Sequence, residues 1–127
     1  MNKPLVLKKD DTIRSAFKIL NGQFGMIVCI ISNDNILTGI VTEGDLRRAI
    51  LKGSSLDTKL EEVQNINPFY VYESELNAKK ITKSRIPSLN TKTGLQPLIC
   101  PVVDKNKKLL SILNAEVLIE ILQNQDY

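Results

Sequence analysis

Apolar positions recur along this chain in two patterns, one with helical spacing and one with the short unbroken runs of buried strands. Residues 11–20 show the helical pattern, with apolar side chains at i, i+3, i+4 and i+7. Asp11 supplies an acidic cap and Asn21-Gly22 a typical stop, so we predict a helix there. Its apolar face consists of Ile13, Ala16, Phe17 and Leu20.

Two β-branched runs follow this helix and predict a hairpin. Residues 26–31 are apolar throughout, as expected for a strand covered on both faces, and the next four residues are turn formers. Residues 36–41 form the returning strand. Thr42 then starts a second helix, which ends at Gly53 and carries an apolar face. With residues 5–7 as an opening strand, the first half has the order strand, helix, strand, strand, helix.

The second half of the chain repeats this order. From Val28 to Ile50 each residue matches the one 72 positions later without a gap, whereas Pro4 matches Pro68 at an offset of 64. The offsets differ by eight, which predicts an inserted exposed loop at about residues 86–94. The predicted elements are a strand at 67–72, a helix capped by Ser74, a strand at 98–103, a turn at 104–107, a strand at 109–113 and a helix at 114–122.

This doubling predicts the fold class and the domain organisation. A unit of three strands and two helices is too small to cover both faces of its own sheet, so the copies are expected to pack together about a pseudo-twofold axis. We predict an α+β fold of two βαββα repeats, at residues 1–63 and 64–127. In the link between them, Leu56, Leu60 and Val63 indicate a short helical turn.

Composition narrows the function classes. The chain has 127 residues, 43% of them apolar and 24% charged, which is typical of a soluble globular domain. No apolar run approaches the length of a membrane span and the first residues lack a secretory signal, so we expect a cytoplasmic protein with no membrane partner. The net charge of +3 comes from dispersed Lys and Arg, which argues against nucleic acid as a partner.

The absence of histidine argues against catalysis. It removes the commonest general base and the usual partner of a Ser or Cys nucleophile. Glu43 and Asp45 are a weak carboxylate pair because they lie on different faces of a helix. Cys29 and Cys100 lie in apolar runs, so we expect buried reduced thiols and no metal site. We therefore predict no catalytic residues and no enzyme activity of its own.

The string from Gly39 to Arg48 carries the most chemistry. It puts the Thr42 hydroxyl and the Asp45 carboxylate at a strand-to-helix junction with exposed backbone amides. A carboxylate there can accept hydrogen bonds from the two vicinal hydroxyls of a ribose, and Arg47 and Arg48 can meet phosphate charge. The same spacing also fits a plain helix-capping pattern with Asp45 and Arg48 paired at the surface. Spacing alone leaves both interpretations open.

Together with the doubled unit, this string resembles a tandem cystathionine-β-synthase-type (CBS) domain pair, or Bateman module, over nearly the whole chain. The resemblance implies that Gly39, Thr42 and Asp45 hold the ribose and phosphate of an adenosine ligand such as AMP, ATP or S-adenosylmethionine. It also implies that the adenine stacks against apolar residues of the neighbouring strands, namely Ile40, Leu5 and Val28.

The second copy departs from this pattern. At the positions equivalent to that triplet it has Ser111, Asn114 and Val117. A valine cannot accept a hydrogen bond from a ribose, so we expect one normal nucleotide site at most, in the first copy. Asn114 is then predicted to be only a helix cap.

A closer resemblance comes from residues 42–53 and the Ser55-Leu56-Asp57-Thr58 that follows. These residues look like the CBS pairs of sugar-phosphate nucleotidyltransferases, where the pair is N-terminal, and of sugar-phosphate isomerases of the arabinose 5-phosphate type, where it is C-terminal. Met1 stands directly before the first strand, which favours the N-terminal arrangement.

These observations lead to two hypotheses, and a homodimer is expected under either. The first is a regulatory module that requires no cofactor, binds an adenine nucleotide (AMP, ADP or ATP) and controls an attached or partner enzyme. The second is a structural dimerisation module whose nucleotide site has decayed. The apolar helix faces that would pack against a second copy consist of Leu46, Ala49, Ile50, Val117, Leu118 and Ile121.

Overall fold

The computed structural model describes residues 3–23, 25–78, 99–114 and 120. In these residues the strands and helices follow the predicted order, and a turn of 3₁₀ helix, Leu60–Glu62, lies in the link. The first half contains β1 (Leu5–Leu7), α1 (Ile13–Leu20), β2 (Ile27–Ile31), β3 (Leu37–Thr42) and α2 (Glu43–Leu51). The second half contains β4 (Val71–Tyr72), α3 (Glu73–Asn77), β5 (Ile99–Val103) and β6 (Leu109–Asn114).

The first sheet has the order β1-β2-β3, with β1 parallel to β2 and β2 antiparallel to β3. Successive side chains of a strand face opposite sides of its sheet. On one side Val28 and Val41 pack with α1 and α2, and on the other side Cys29 and Ile40 pack against the second half. Both faces are therefore covered, which explains why β2 lacks polar residues.

Helix α2 uses its apolar face within this unit. Leu46 is fully buried in the core, and Ala49 and Ile50 pack against that core. The expectation that this face packs against a second copy is therefore wrong for Leu46, because the small first sheet needs the side chain as its own cover. The exposed apolar residue of α2 is Leu51, with 79% of its surface accessible.

The second sheet repeats the first, strand for strand. Its order is β4-β5-β6, again with a parallel and then an antiparallel pair. Ile27 pairs with Thr42 in the first sheet, and Ile99 pairs with Asn114 in the second. Both sheets shift register between the last two residues of the middle strand. The hairpins β2–β3 and β5–β6 therefore share one backbone register at the predicted offset of 72 residues.

The tips of the two hairpins join the copies about a local pseudo-twofold axis. The Leu37 amide donates to the Lys107 carbonyl at 3.0 Å, and the equivalent Leu109 amide donates to the Asn35 carbonyl at 3.0 Å. Asn35 and Lys107 both have left-handed backbones, with φ of 65° and 66°. Leu37 and Leu109 also belong to one buried cluster that contains side chains of both sheets. This arrangement confirms that the copies complete each other's core.

Three local predictions are wrong. The N-cap of α1 is Thr12, whose hydroxyl accepts from the Ser15 amide, while the Asp11 carboxylate instead accepts from the Lys8 amide at 2.7 Å. Ser74 lies in the first turn of α3 and does not cap it, because the helix begins directly after β4. That strand is also shorter than the predicted 67–72, since the preceding residues include Pro68, which has no amide to donate.

Other predictions fall outside the described residues or remain untested. The inserted loop at about residues 86–94 and most of the closing helix at 114–122 lie outside those residues, as do Val117, Leu118 and Ile121. The division of the chain at residues 63 and 64 stays a prediction. Within the described ranges, no helix has the length and apolar character needed to cross a membrane.

Candidate functional site

The junction between β3 and α2 is closed by a reciprocal pair of hydrogen bonds. Thr42 has an extended backbone, and its hydroxyl accepts from the Asp45 amide at 3.1 Å. In return, Asp45 Oδ2 accepts from the Thr42 amide at 3.0 Å. This is a capping box, in which two backbone donors that the helix leaves unpaired find side-chain acceptors. The strand therefore turns into the helix at a defined point.

Arg48 occupies the other oxygen of the same carboxylate. Its Nη2 donates to Asp45 Oδ1 at 2.8 Å, and the two side chains are 44% and 30% exposed. The guanidinium lies against the first turn of α2, where a Cβ on Gly44 would come within 3.1 Å of Arg48 Nη1. Both halves of the capping interpretation, the box and the surface pair, are thus present in the structure.

Arg47, the other candidate for phosphate, is engaged elsewhere. Its Nη1 lies 3.3 Å from Glu43 Oε1, in an exposed i, i+4 pair. The structure therefore brings Thr42, Asp45 and Arg48 into one hydrogen-bonded group and leaves Arg47 outside it.

Gly39 is needed for a close approach of the link to β3. The backbones of Ile40 and Asn65 exchange two hydrogen bonds, of 3.0 and 2.8 Å. A Cβ on Gly39 would lie 3.0 Å from the Asn65 carbonyl oxygen and would overlap the Gln64 side-chain amide. In the part of the chain that the structure describes, Gln64 Oε1 is buried and has no hydrogen-bond partner. This contact was not predicted from the sequence, because no local pattern pairs a linker residue with a strand glycine.

The three residues expected to contact adenine do not share one face. Leu5 and Val28 are neighbours in the β1–β2 pairing, and both belong to the side covered by the helices. Ile40 faces the core shared with the second copy. Val28 is 0% and Ile40 4% exposed, so both side chains fill cores in this structure. One flat base cannot contact all three at once.

The second copy presents different groups at the equivalent places. Ser111 is buried within β6, and Asn114 is the exposed last residue of that strand. Whether Asn114 also caps a helix lies outside the described residues, as does Val117.

The two cysteines behave as core residues. Cys29 and Cys100 are both buried thiols, as expected. Burial, with a smaller contribution from Cys100, raises the pKa of Cys29 to about 12, so the thiol stays protonated at neutral pH. Among the described residues, no group of three or more His, Cys, Asp or Glu side chains could hold a metal ion.

Sequence comparison matches the first copy to a known family. Residues 1–52 match the family model of the CBS domain, and this segment contains the whole β3–α2 junction. Two uncharacterized proteins of Helicobacter pylori, from strains J99 and 26695, are each 26% identical over 120 residues. The match covers 94% of this chain and 34% of theirs, so the chain spans about a third of the length of these relatives.

Solved structures match the chain over nearly its full length. A CBS domain protein from Pyrobaculum aerophilum complexed with AMP has a TM-score of 0.67 at 21% identity, covering 97% of this chain and 94% of that one. A CBS domain pair in complex with 5′-methylthioadenosine and S-adenosyl-L-methionine has a TM-score of 0.64 at 21% identity, covering 99% and 93%. The cytosolic domain of the Mg²⁺ channel MgtE in complex with ATP has a TM-score of 0.63 at 15% identity, covering 93% and 44%. The chain therefore has the mixed α+β fold of a CBS domain pair.

Proposed function

We propose that this chain is a regulatory module, without catalysis of its own, that binds an adenine nucleotide (AMP, ADP or ATP) and allosterically controls an attached or partner enzyme. The observation that carries the proposal is the Thr42–Asp45 pair at the β3–α2 junction, inside the segment that matches the CBS domain. A carboxylate can accept both hydroxyls of a ribose, and helix amides with an arginine beside them suit a phosphate.

The neighbours support an adenine ligand. The matched structures include complexes with AMP, with ATP and with S-adenosyl-L-methionine and 5′-methylthioadenosine, which share an adenosine group. The proposed site uses Gly39, Thr42, Asp45 and Arg48 for the ribose and phosphate. Of the predicted adenine contacts, Leu5 is the partly exposed one, whereas Ile40 and Val28 must move before a base can reach them.

The twofold contact between the copies offers a route for control. The hairpin tips are hydrogen-bonded to each other, and the buried cluster beneath them is shared. Because β3 runs from this contact to the proposed site, a shift of β3 on binding changes the packing between the copies. A homodimer or an enzyme domain in contact with both copies would sense that change.

The regulated enzyme is proposed to be a sugar-phosphate nucleotidyltransferase, on the strength of residues 42–53 and the four that follow Ser54. A sugar-phosphate isomerase is the alternative that the same residues support. The Helicobacter pylori relatives are long enough to contain such a domain, because about two-thirds of their length lies outside the match. We propose a cytoplasmic location, where these nucleotides and sugar phosphates occur together.

Calorimetric titration tests the proposal. The chain should bind at least one of AMP, ADP, ATP and S-adenosylmethionine, and Asp45→Ala should abolish the binding. Asp45→Asn keeps an oxygen for the capping box but removes the negative charge. It should also abolish nucleotide binding, because the charged carboxylate is proposed to hold the ribose. Asp57→Ala is the matched control, since this aspartate also pairs with an arginine but is 81% exposed and belongs to no predicted site. No binding of any of the four ligands would contradict the proposal.

A structural dimerisation module is the second candidate. The observation in its favour is that the capping box and the Arg48 pair already account for both oxygens of Asp45. Analytical ultracentrifugation with and without nucleotide separates the two functions, since a dimer indifferent to all four ligands supports the structural one.

A further inference from the structure

We propose that Arg48 makes the site selective for nucleotides over uncharged nucleosides. Its guanidinium pairs with the Asp45 carboxylate until the phosphate of a nucleotide replaces that carboxylate as its partner. This inference rests on the proposed function and deepens it, because it names the ligand group that opens the site. It assigns two alternative partners to Arg48, namely Asp45, with which it pairs in the structure, and the phosphate of a bound nucleotide.

The Arg48–Asp45 ion pair covers a carboxylate oxygen that a ribose hydroxyl would need. Asp45 Oδ2 is held by the Thr42 amide, and the 2.8 Å contact from Arg48 covers Oδ1. A ribose that places one hydroxyl on each oxygen therefore competes with the guanidinium. An uncharged nucleoside brings nothing that replaces the lost partner of Arg48, whereas a nucleotide brings a phosphate.

Arg48 places its charge near the N-terminus of α2. Arg48 belongs to the second turn of α2, but its guanidinium reaches back over Gly44 in the first turn, as helical side chains lean toward the N-terminus. The N-terminus is the positive end of the helix, so a cation is unfavourable there unless an anion lies beside it. Asp45 supplies that anion in the structure, and the phosphate of a nucleotide would supply a stronger one.

Gly44 lies directly beside the Arg48 guanidinium. A Cβ at this position would lie 3.1 Å from Nη1 and 3.5 Å from Nη2 of Arg48, which is tight for non-bonded atoms. The missing side chain therefore leaves space for the guanidinium beside the first turn of α2. The neighbouring Arg47 pairs instead with Glu43.

The experiment compares AMP with adenosine on the full chain. Wild type, Arg48→Ala and Arg48→Gln are titrated with each ligand by calorimetry, at low and at high sodium chloride. Arg14→Ala is the matched control, because Arg14 is 48% exposed and also pairs with an aspartate, far along the chain from this site. Circular dichroism confirms that each variant is folded.

Arg48→Ala and Arg48→Gln should lower the ratio of AMP affinity to adenosine affinity by about tenfold, with AMP weakened and adenosine unchanged or tightened. Arg14→Ala should leave that ratio as in wild type. In wild type, salt should weaken AMP binding but strengthen adenosine binding, because it screens the phosphate contact in one case and the competing ion pair in the other.

Two outcomes overturn the inference in distinguishable ways. If wild type binds AMP but both Arg48 variants keep the ratio within about threefold of wild type, or Arg14→Ala lowers it equally, Arg48 does not select the phosphate and the proposed function stands. If wild type binds neither AMP nor adenosine nor any other adenine nucleotide, the proposed function fails and this inference fails with it.

Discussion

The end of β3 and the end of β6 are equivalent points of the two copies, yet their chemistry differs. Both strands pair with their neighbours in the same register, and the hairpins that lead into them have matching turns. The first ends in a threonine that caps a helix and holds a carboxylate, and the second ends in Asn114. Buried apolar positions thus preserve the backbone in both copies, while the polar residues at the ends of β3 and β6 differ.

The largest effect on stability should come from removing a buried leucine side chain at either hairpin tip. Leu37→Ala and Leu109→Ala should each lower the free energy of unfolding by about 2–5 kcal/mol, because both side chains are buried in the shared cluster. Leu110→Ala is the control, since Leu110 is 43% exposed and should change stability by less than about 0.5 kcal/mol. Urea denaturation measures all three. If either buried leucine behaves like the control, the copies do not share one core.

Filling the space at Gly39 should have the next largest effect. Gly39→Ser, which places the second copy's residue in the first, should destabilise by about 1–3 kcal/mol because the new side chain overlaps the Gln64 amide. Thermal unfolding measures the loss. A Gly39→Ser variant as stable as wild type would show that Gln64 and Asn65 of the link do not pack closely against β3.

Removing the cap should have a smaller effect that is separate from ligand binding. Thr42→Ala should destabilise the ligand-free chain by about 1 kcal/mol, because the Asp45 amide loses its acceptor. Thr42→Ser keeps that acceptor and should restore most of the loss. Equal losses in the two variants, measured by urea denaturation, would mean that the hydroxyl does not cap α2.

The smallest effect concerns Gln64 Oε1 beside Gly39, a buried atom with no hydrogen-bond partner among the described residues. Gln64→Met keeps the length of the side chain and removes the buried acceptor, so it should be neutral or stabilise by up to about 1 kcal/mol. Gln64→Ala removes the packing as well and is expected to be the less stable of the two. A clear destabilisation by methionine would show that the amide is hydrogen-bonded in solution.

Much of this fold could be predicted from the chain alone because the pattern occurs twice. The unbroken run at residues 26–31 has a counterpart 72 positions later, and both became middle strands of three-stranded sheets. Helix ends were harder to predict, since Asp11 and Thr12 are both acceptable caps and only the local geometry decides between them.

The site could be predicted in part. The spacing of Thr42 and Asp45 predicted that they meet at the helix start, because residues three apart are neighbours there. Ile40 and Val28 face opposite sides of the sheet. This follows from the alternation of side chains along a strand once the register of β2 and β3 is known, but the sequence spacing alone does not give that register. The contact of Gln64 with Gly39 joins residues that are distant in sequence, so no local signal indicates it.

The central claim is that the first copy alone holds an adenine nucleotide, and backbone amide NMR during an AMP titration tests it most directly. We expect saturation at one AMP per chain, with the largest chemical-shift changes at residues 39–48 and small changes at residues 111–114. In Asp45→Ala those changes should disappear, whereas in Asp57→Ala they should persist. Saturation at two AMP per chain, with equal changes at both strand ends, or no change at residues 39–48, would contradict the claim.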